Sequence, residues 1–303
     1  MKFWVLIALI LAGATIIAGA DRQIYLIAGK PSHGPLQHEH NAGVWALQKW
    51  LNQVPGVHAT AQFDGWPEDN SLLDKADAIF IFCTGGESHM AFTDSALEGL
   101  RRAAARGAGL MFYHYGVEPP AKKGHQEMLD WIGGYFELNY SVNPVFEAHF
   151  RTIPKHPITR GVKPFNLRDE WYYNMRFREN MKGITPILVT TPPADSLSRP
   201  DGPHEGNPDV RAKAGQPMVV AWAAERPGGG RGAGFTGGHY HMNLQDENFR
   251  KVVLNSLLWI AKAEVPRNGV EVKVTCEELL EHIDPKTGRE GAPAPNPCTQ
   301  ARP

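Results

Sequence analysis

The sequence lacks several features that would mark a well-defined class of protein. Its 303 residues include only 3 cysteines, and 31 lysines and arginines nearly balance 32 aspartates and glutamates, without a basic block. Nucleic acid is therefore not an expected partner. The chain has no P-loop and no His-Glu-x-x-His motif, and we expect no nucleotide cofactor. A composition of 42% hydrophobic and 21% charged residues excludes disorder and a multi-spanning membrane protein.

The longest apolar run is at the start of the chain. Lys2 precedes an uncharged segment, residues 3–20, that ends in Ala18-Gly19-Ala20. A positive charge, an apolar core and small terminal residues are typical of a secretory signal peptide. We predict that residues 1–20 are removed by cleavage after Ala20, so that the mature chain is periplasmic or secreted and free of the membrane. An uncleaved membrane anchor is the alternative.

The cysteines fall into two groups. Cys276 and Cys298 lie in a C-terminal extension, residues 264–303, which we expect to be loosely ordered. In an oxidising compartment they could form a disulfide, a question that the sequence leaves open. Cys83 ends an apolar run and is interpreted as a buried thiol. Phe82 stands where a nucleophile elbow needs a small residue, which argues against thiol catalysis.

Apolar strand-like segments alternate with helical patterns along residues 21–263, which we take as one domain. The clearest strand segments are residues 24–28, 78–82, 109–113 and 218–222, and the clearest helical patterns are residues 41–52, 93–106 and 246–261. This alternation predicts an α/β, doubly wound fold with a mostly parallel sheet covered on both faces. Residues 141–198 favour an inserted or edge β region, and residues 192–216 a long surface loop.

Histidines follow several of the predicted strands. In an open parallel sheet, ligands bind beyond the carboxyl ends of the strands, so we expect His33, His114, His239 and His241 to converge there. Imidazole is a good ligand for Zn²⁺ and similar ions, and His114 and His239 are the predicted ligands of a divalent metal. His38 either caps the helix that follows it or faces the site, whereas Asn41 is predicted to cap that helix.

Acidic and aromatic residues complete the candidate site. The predicted catalytic residues are His33, His114, Glu147, Glu170 and His239. The predicted substrate-binding residues are Gly85, Gly86, Tyr115, Trp171, Tyr172, Gly238 and His241. Aromatic rings beside carboxylates suit a sugar, because its apolar C–H face stacks on a ring while charged groups bind its hydroxyls.

Several short segments occur in a recognisable order. They are Ser32-His33-Gly34, His38-Glu39-His40-Asn41-Ala42-Gly43, Thr84-Gly85-Gly86-Glu87, His114-Tyr115, Trp131-Ile132-Gly133-Gly134, His156-Pro157-Ile158-Thr159-Arg160-Gly161-Val162, Asp169-Glu170-Trp171-Tyr172 and Thr236-Gly237-Gly238-His239. By their order and spacing, residues 22–262 resemble the ThuA-like, or trehalose utilisation, family. The resemblance implies a flavodoxin-like, class I glutamine amidotransferase-like three-layer sandwich without the usual thiol triad. It also implies a role in sugar utilisation, including 3-keto-disaccharide metabolism, and a metal in some members.

Three functions are compatible with these patterns. The first is an exported enzyme that acts on a keto-sugar or related glycoside by acid/base chemistry, with or without a metal, as an isomerase, epimerase, lyase or hydrolase. In this enzyme, Glu170 or His114 is the base, and His239 is a metal ligand or an electrophile. The second is a non-catalytic sugar-binding or accessory protein. The third is a metal-dependent hydrolase of another small molecule. The sequence leaves open whether the chain forms a homo-oligomer.

Overall fold

The computed structural model describes residues 21–286 and Cys298. The predicted signal peptide, and residues 287–297 and 299–303 of the predicted loose extension, lie outside the described residues. In the described part of the chain, every helix is too short or too polar to cross a membrane.

Strands and helices alternate along the chain, with a cluster of strands in its middle. The strands are β1 (Arg22–Ala28), β2 (Val57–Gln62), β3 (Ala78–Phe82), β4 (Gly109–Tyr113), β5 (Gly134–Tyr135), β6 (Val145–Phe150), β7 (Phe165–Glu170), β8 (Arg176–Phe177), β9 (Ile184–Thr190), β10 (Met218–Glu225) and β11 (Arg231–Phe235). The α-helices are α1 (His40–Leu51), α2 (Ser71–Lys75), α3 (Asp94–Ala105), α4 (His125–Ile132), α5 (Pro208–Ala212), α6 (Glu247–Ile260) and α7 (Cys276–Leu279).

A seven-stranded sheet in the order β2-β1-β3-β4-β11-β10-β9 forms the centre of the fold. The first five strands in this order pair in parallel, and β10 runs antiparallel to both β11 and β9. The expected α/β class with a mostly parallel sheet is therefore confirmed. Within the predicted β region, β6 pairs with β7 in a small antiparallel sheet, and β9 is the edge of the central sheet. Strand β8 of this region pairs antiparallel with β5, which lies before the region.

Side chains of the central strands point alternately into two apolar cores. In β1, Ile24 and Leu26 join the core that includes α1 and α6, whereas Tyr25 and Ile27 join the core that includes α3 and α4. Successive residues of a strand face opposite sides of a sheet, so covering both sides requires apolar residues at every position. This requirement explains the continuous apolar runs in the sequence and produces three layers.

Helix α1 begins without a side-chain cap. Its first residue is His40, and Glu39 precedes it without a capping hydrogen bond. Asn41 lies inside the helix, where its amide donates to Asp64 and Asp284. The prediction that Asn41 caps this helix is therefore wrong: its side chain joins two distant segments instead.

Residues 264–286 of the extension pack on the domain, so the loose order expected from residue 264 does not apply to them. Val265, Val270 and Leu279 are buried in the core that contains α1 and α6. Spaced apolar residues thus anchor a segment whose overall composition is polar. Cys276, the first residue of α7, forms a disulfide with Cys298.

Candidate functional site

Four titratable side chains converge at the edge of the sheet where the parallel strands end. His38 follows β1, His114 follows β4, His239 follows β11, and Glu170 is the last residue of β7. One nitrogen or carboxylate oxygen from each lies within 4.8 Å of the corresponding atoms of the other three. The structure thus brings His114, Glu170 and His239 together and adds His38, whose placement the sequence left open. We call these four residues the His/Glu cluster.

The spacing inside the His/Glu cluster is compatible with a bound metal ion. His38 Nε2 lies 3.0 Å from His114 Nε2 and 3.0 Å from His239 Nδ1. Glu170 Oε2 lies 3.6 Å from each of the same two nitrogens. In tetrahedral zinc sites, bonds of ~2.0–2.1 Å place neighbouring ligand atoms about 3.3 Å apart. These four spacings lie on either side of this value, and all the ligand atoms are within 4.8 Å of one another, so the cluster could hold a metal.

The positions of the ring protons give a second reason to expect a metal at the cluster. His114 Nδ1 lies 2.7 Å from the carbonyl oxygen of Thr236, so it carries the proton and donates to that oxygen. The neutral ring then directs the lone pair of Nε2 at the cluster. His38 Nε2 faces two ring nitrogens, and one proton cannot satisfy both contacts. A cation that accepts a lone pair from each ring resolves this conflict.

Burial keeps two of the rings in the form that binds metal. Desolvation lowers the pKa of His38 and of His114 below the ordinary histidine value, and neighbouring histidines lower both further. Since a metal binds neutral imidazole, these two rings need not lose a proton first at neutral pH.

The backbone is unusual at the histidines. His33, His38 and His114 have φ angles of 62°, 47° and 51°, in the left-handed region that non-glycine residues seldom adopt. Each such residue costs ~1–3 kcal/mol, which the surrounding structure must offset. The chain therefore holds these side chains at the site against a local conformational preference.

A cleft of about 260 Å³ opens beside the cluster. It is lined by His33, His38, Tyr115, Asn143, Glu170, Tyr172, Arg199, His204, Glu205 and His239. Three of the predicted site residues that are outside the cluster thus lie at the cleft: His33, Tyr115 and Tyr172. Most of these side chains donate or accept hydrogen bonds, and the cleft suits a small ligand rich in hydroxyl or carbonyl groups.

His33 and Tyr115 form one wall of the cleft. The exposed ring of His33 stacks on His38, with centroids 3.6 Å apart and an interplanar angle of 16°. The Tyr115 ring lies edge-on to it at 6.0 Å. Burial, together with Glu118 and Glu170, raises the pKa of Tyr115 to about 12. Its hydroxyl is therefore a neutral hydrogen-bond donor at physiological pH.

A second group of lining residues is joined by hydrogen bonds, and part of this group contacts Glu170 of the cluster. Arg199 Nη2 donates to Asn143 Oδ1 at 2.9 Å, and Asn143 Nδ2 donates to Glu170 Oε1 at 2.9 Å. His204 Nε2 lies 2.9 Å from the buried carboxylate of Glu118, which raises the pKa of His204. Glu170 therefore has one oxygen held by Asn143 and the other directed at the histidines.

The predicted glycines pack against site residues and do not line the cleft. None of Gly85, Gly86 and Gly238 lines the cleft, so their expected contact with substrate is not observed. A Cβ on Gly85 would lie 2.2 Å from the carbonyl oxygen of Tyr115. Gly238 has a φ of 115° and donates its amide to Asp169 Oδ2 at 2.7 Å. These positions need glycine for close packing and for backbone conformation.

Three predicted site residues lie away from the cleft. Glu147 is exposed on β6, because alternation along that strand directs it away from the buried side. Trp171 is fully buried and packs edge-on against Phe150 in the core. His241 is buried and pairs with the carbonyl oxygen of Leu279, 2.7 Å from Nε2. The catalytic role expected for Glu147 and the substrate contacts expected for Trp171 and His241 therefore do not fit this structure.

Sequence reasoning missed Asn143, Arg199, His204 and Glu205 as cleft residues. The last three lie in the segment that was predicted to be a long surface loop, residues 192–216. Long loops in compact domains are often functional, and this was the available signal. The length of the loop could not show which of its side chains lie at the edge of the sheet beside the His/Glu cluster.

Cys83 is buried, and desolvation raises the pKa of its thiol. Its Sγ lies 3.6 Å from His89 Nδ1, and it is not among the residues that line the cleft. The expectation of a buried thiol at this position agrees with the structure.

Comparisons with known proteins agree with this architecture. A family model described as ThuA, trehalose utilisation, matches residues 27–260. A ThuA-like protein from Bacteroides uniformis ATCC 8492 is 16% identical, with a TM-score of 0.56 over 80% of this chain and 92% of that chain. Another from Parabacteroides merdae ATCC 43184 is 13% identical, with a TM-score of 0.50 over 84% of this chain and 93% of that one. At such identities the two structures show the fold alone. No curated protein matches the chain.

Proposed function

The chain belongs to the ThuA, or trehalose utilisation, family, and from that membership and the His/Glu cluster we propose that it is a metal-assisted enzyme acting on a keto-sugar or related glycoside. The family description concerns carbohydrate. The observation that carries the proposal is the convergence of three imidazoles and one carboxylate beside an open polar cleft. Neither a packed core nor a surface ion pair requires such an arrangement.

The proposed metal ligands are His38, His114, His239 and Glu170. They extend the pair predicted from sequence, His114 and His239, by one histidine and one carboxylate. Ligands of this kind suit Zn²⁺ and other divalent transition metals. A bound ion that accepts a further ligand besides these four would polarise a sugar carbonyl and stabilise negative charge on its oxygen.

With His114 and Glu170 assigned to the metal, another group must serve as the base. We propose His33, whose ring is exposed at the cleft and is not a member of the His/Glu cluster. A ketone makes the neighbouring C–H acidic, and His33 would take that proton. Returning this proton to the former ketone carbon, together with transfer of the neighbouring hydroxyl proton to the former ketone oxygen, isomerises the sugar. Loss of a leaving group from the enediolate gives elimination instead. Tyr115, as a neutral donor, would hold a substrate oxygen.

We also propose export of the protein, on the grounds of residues 1–20 alone. The positive charge at Lys2, the apolar run and the Ala18-Gly19-Ala20 end support a signal peptide. A periplasmic or extracellular site of action would also permit the Cys276–Cys298 disulfide.

The first experiment uses the chain from Asp21 onward without a histidine tag. Metal content is measured by elemental analysis after dialysis, and a 3-ketoglucoside is then incubated with the protein in D₂O. Proton abstraction beside the ketone is expected to exchange deuterium into the sugar, as followed by NMR, with a loss of at least tenfold in the rate after treatment with a chelator.

Matched variants assign the base. His33→Gln removes the imidazole at the cleft, whereas His149→Gln removes an exposed imidazole on β6. We expect slower exchange in the first variant by about 10²-fold or more and no change in the second. Saturable binding of the sugar with no deuterium exchange would favour the non-catalytic alternative. Release of an aglycone with no deuterium on the carbons of the released sugar would favour direct hydrolysis of the glycoside over isomerisation or elimination.

A further inference from the structure

The C-terminal extension reaches the loop that carries His38. The family match ends at residue 260, and Lys286 lies beyond it. The Lys286 ammonium donates to the carbonyl oxygen of Gln37 and to that of His38, the latter at 3.2 Å. It also pairs with Glu39 Oε1 at 3.1 Å. One side chain from outside the matched region thus contacts three consecutive residues around a cluster histidine.

The buried side chain of Glu39 also connects this loop to the extension. This side chain is fully buried, and that of Lys286 is 5% exposed. Glu39 Oε1 accepts the amide of Leu36 at 2.7 Å, and Oε2 accepts the amide of Asp284 at 3.1 Å. A buried carboxylate needs such partners, and removing one of them leaves the charge uncompensated. Loop and extension are therefore coupled through a buried ion pair.

His38 depends on this coupling because its ring lacks the hydrogen bond that usually orients a metal-binding histidine. Metal-binding histidines usually donate their second ring nitrogen to a fixed acceptor, which sets the orientation of the ring. His114 has such an acceptor in Thr236, whereas Nδ1 of His38 is buried without a partner among the described residues. His38 also has a left-handed backbone, with φ at 47°. Its position therefore depends on stacking with His33 and on contacts to the backbone on either side.

We propose that Lys286 is a positioning residue that fixes the backbone at His38 and so completes the His/Glu cluster. The inference about the cluster rests on the proposed metal site, and the inference about the backbone does not. The Lys286 ammonium holds two consecutive carbonyls in the orientation that the left-handed turn requires, and Glu39 holds the ammonium. The C-terminal extension is then part of the functional site.

Lys286→Met is the central variant, tested in the full mature chain. Zn²⁺ alone is titrated in competition with a chromophoric chelator. We expect Lys286→Met to bind Zn²⁺ 10- to 100-fold more weakly than the parent, as for the loss of groups that orient metal ligands. Lys286→Arg, which keeps a cationic donor, should recover part of the affinity. Lys273→Met removes an exposed lysine of the same extension and should bind like the parent.

Hydrogen–deuterium exchange tests the backbone without a metal. In metal-free Lys286→Met, amides of residues 34–40 should exchange faster, while those of α6 keep their protection. A Glu39→Gln/Lys286→Met double variant, which removes both charges of the Glu39–Lys286 ion pair, guards against a general loss of folding and should show the same local change. Unchanged exchange and unchanged Zn²⁺ affinity in a folded variant would overturn the proposal. If the parent binds no Zn²⁺, the metal site fails, and faster local exchange still supports Lys286 as the residue that fixes this loop.

Discussion

The carboxylate of Asp169 accepts the backbone amide of His239 at 3.1 Å, although the two residues are far apart in the sequence. The same oxygen accepts the amide of Glu170 at 2.8 Å, and the other oxygen accepts the amide of Gly238 at 2.7 Å. Asp169 is fully buried. One side chain thus fixes the backbone of two members of the His/Glu cluster, one at the end of β7 and one after β11.

Asp169→Asn should weaken both folding and metal binding. The asparagine places an NH₂ group where an oxygen accepted a backbone N–H, so at least one buried amide loses its acceptor. We expect the free energy of unfolding to fall by about 1–3 kcal/mol, as measured by urea denaturation. Zn²⁺ affinity should fall 10- to 100-fold in chelator competition. Asp209→Asn, at an exposed position of α5, is the control. A folded Asp169→Asn protein with the parent's Zn²⁺ affinity would contradict the positioning role.

Glu170 and Glu147 offer a direct test of the cluster, because they lie on the paired strands β7 and β6 but in different environments. Glu170→Gln keeps the size and removes the charge and one strong ligand oxygen, so Zn²⁺ binding and deuterium exchange into a 3-ketoglucoside should each fall at least tenfold. Glu147→Gln changes an exposed carboxylate and should change neither quantity. Equal effects of the two substitutions would show that Glu170 is not a metal ligand.

The central sheet was predictable because its signal is local. Runs such as Ala78–Phe82 are apolar at every position, which only a strand covered on both faces needs. The rule that ligands bind at the carboxyl ends of parallel strands then selected His33, His114 and His239 correctly, and His241 wrongly. Both inferences use neighbouring residues or a general property of the fold, and neither needs a specific long-range contact.

The rest of the site depends on contacts that the sequence does not encode locally. Glu147 and Glu170 both belong to β-like segments and lie on the same face of the β6–β7 pair, with Glu147 opposite Arg168 and Glu170 opposite Val145. Only their positions along the strands separate them, because Glu170 ends β7 at the histidines whereas Glu147 is exposed in the middle of β6. Arg199 and His204 come from a segment without clear periodicity. Lys286 lies in an extension whose polar composition favoured loose order, although a few buried apolar residues anchor it. Register and tertiary packing, rather than residue type, settle these positions.

Removal of the disulfide should lower stability. Cys276 and Cys298 are separated by 22 residues, and closing a loop of this length restricts the unfolded chain by ~3 kcal/mol in the chain-entropy model. A Cys276→Ser/Cys298→Ser variant should therefore lose about 3 kcal/mol in the free energy of unfolding, measured by urea denaturation. Dithiothreitol should produce a similar loss in the parent and none in the variant. A parent protein that is insensitive to the reductant would show that this bond contributes no stability.

Acid should destabilise the protein through His89. Nε2 of His89 donates to the carbonyl oxygen of Gly116 at 2.8 Å, and Nδ1 accepts the amide of Ala91 at 3.2 Å, so the buried ring is neutral. Burial lowers its pKa to about 4 from 6.5. Between these two values the unfolded chain binds a proton that the folded chain does not, so stability is present above pH 6.5 and is lost as the pH falls towards 4.

The size of this effect can be measured against a matched variant. One proton per molecule corresponds to ~1.4 kcal/mol per pH unit, so His89 contributes a loss of up to about 3 kcal/mol across the window. His89→Gln cannot take up the proton, and its free energy of unfolding should fall less steeply between pH 6.5 and pH 4 than that of the parent. His58→Gln, at an exposed position of β2, should keep the parent's slope. Urea denaturation at closely spaced pH values decides the matter, because equal slopes for the parent and His89→Gln would mean that this ring is not buried in its neutral form.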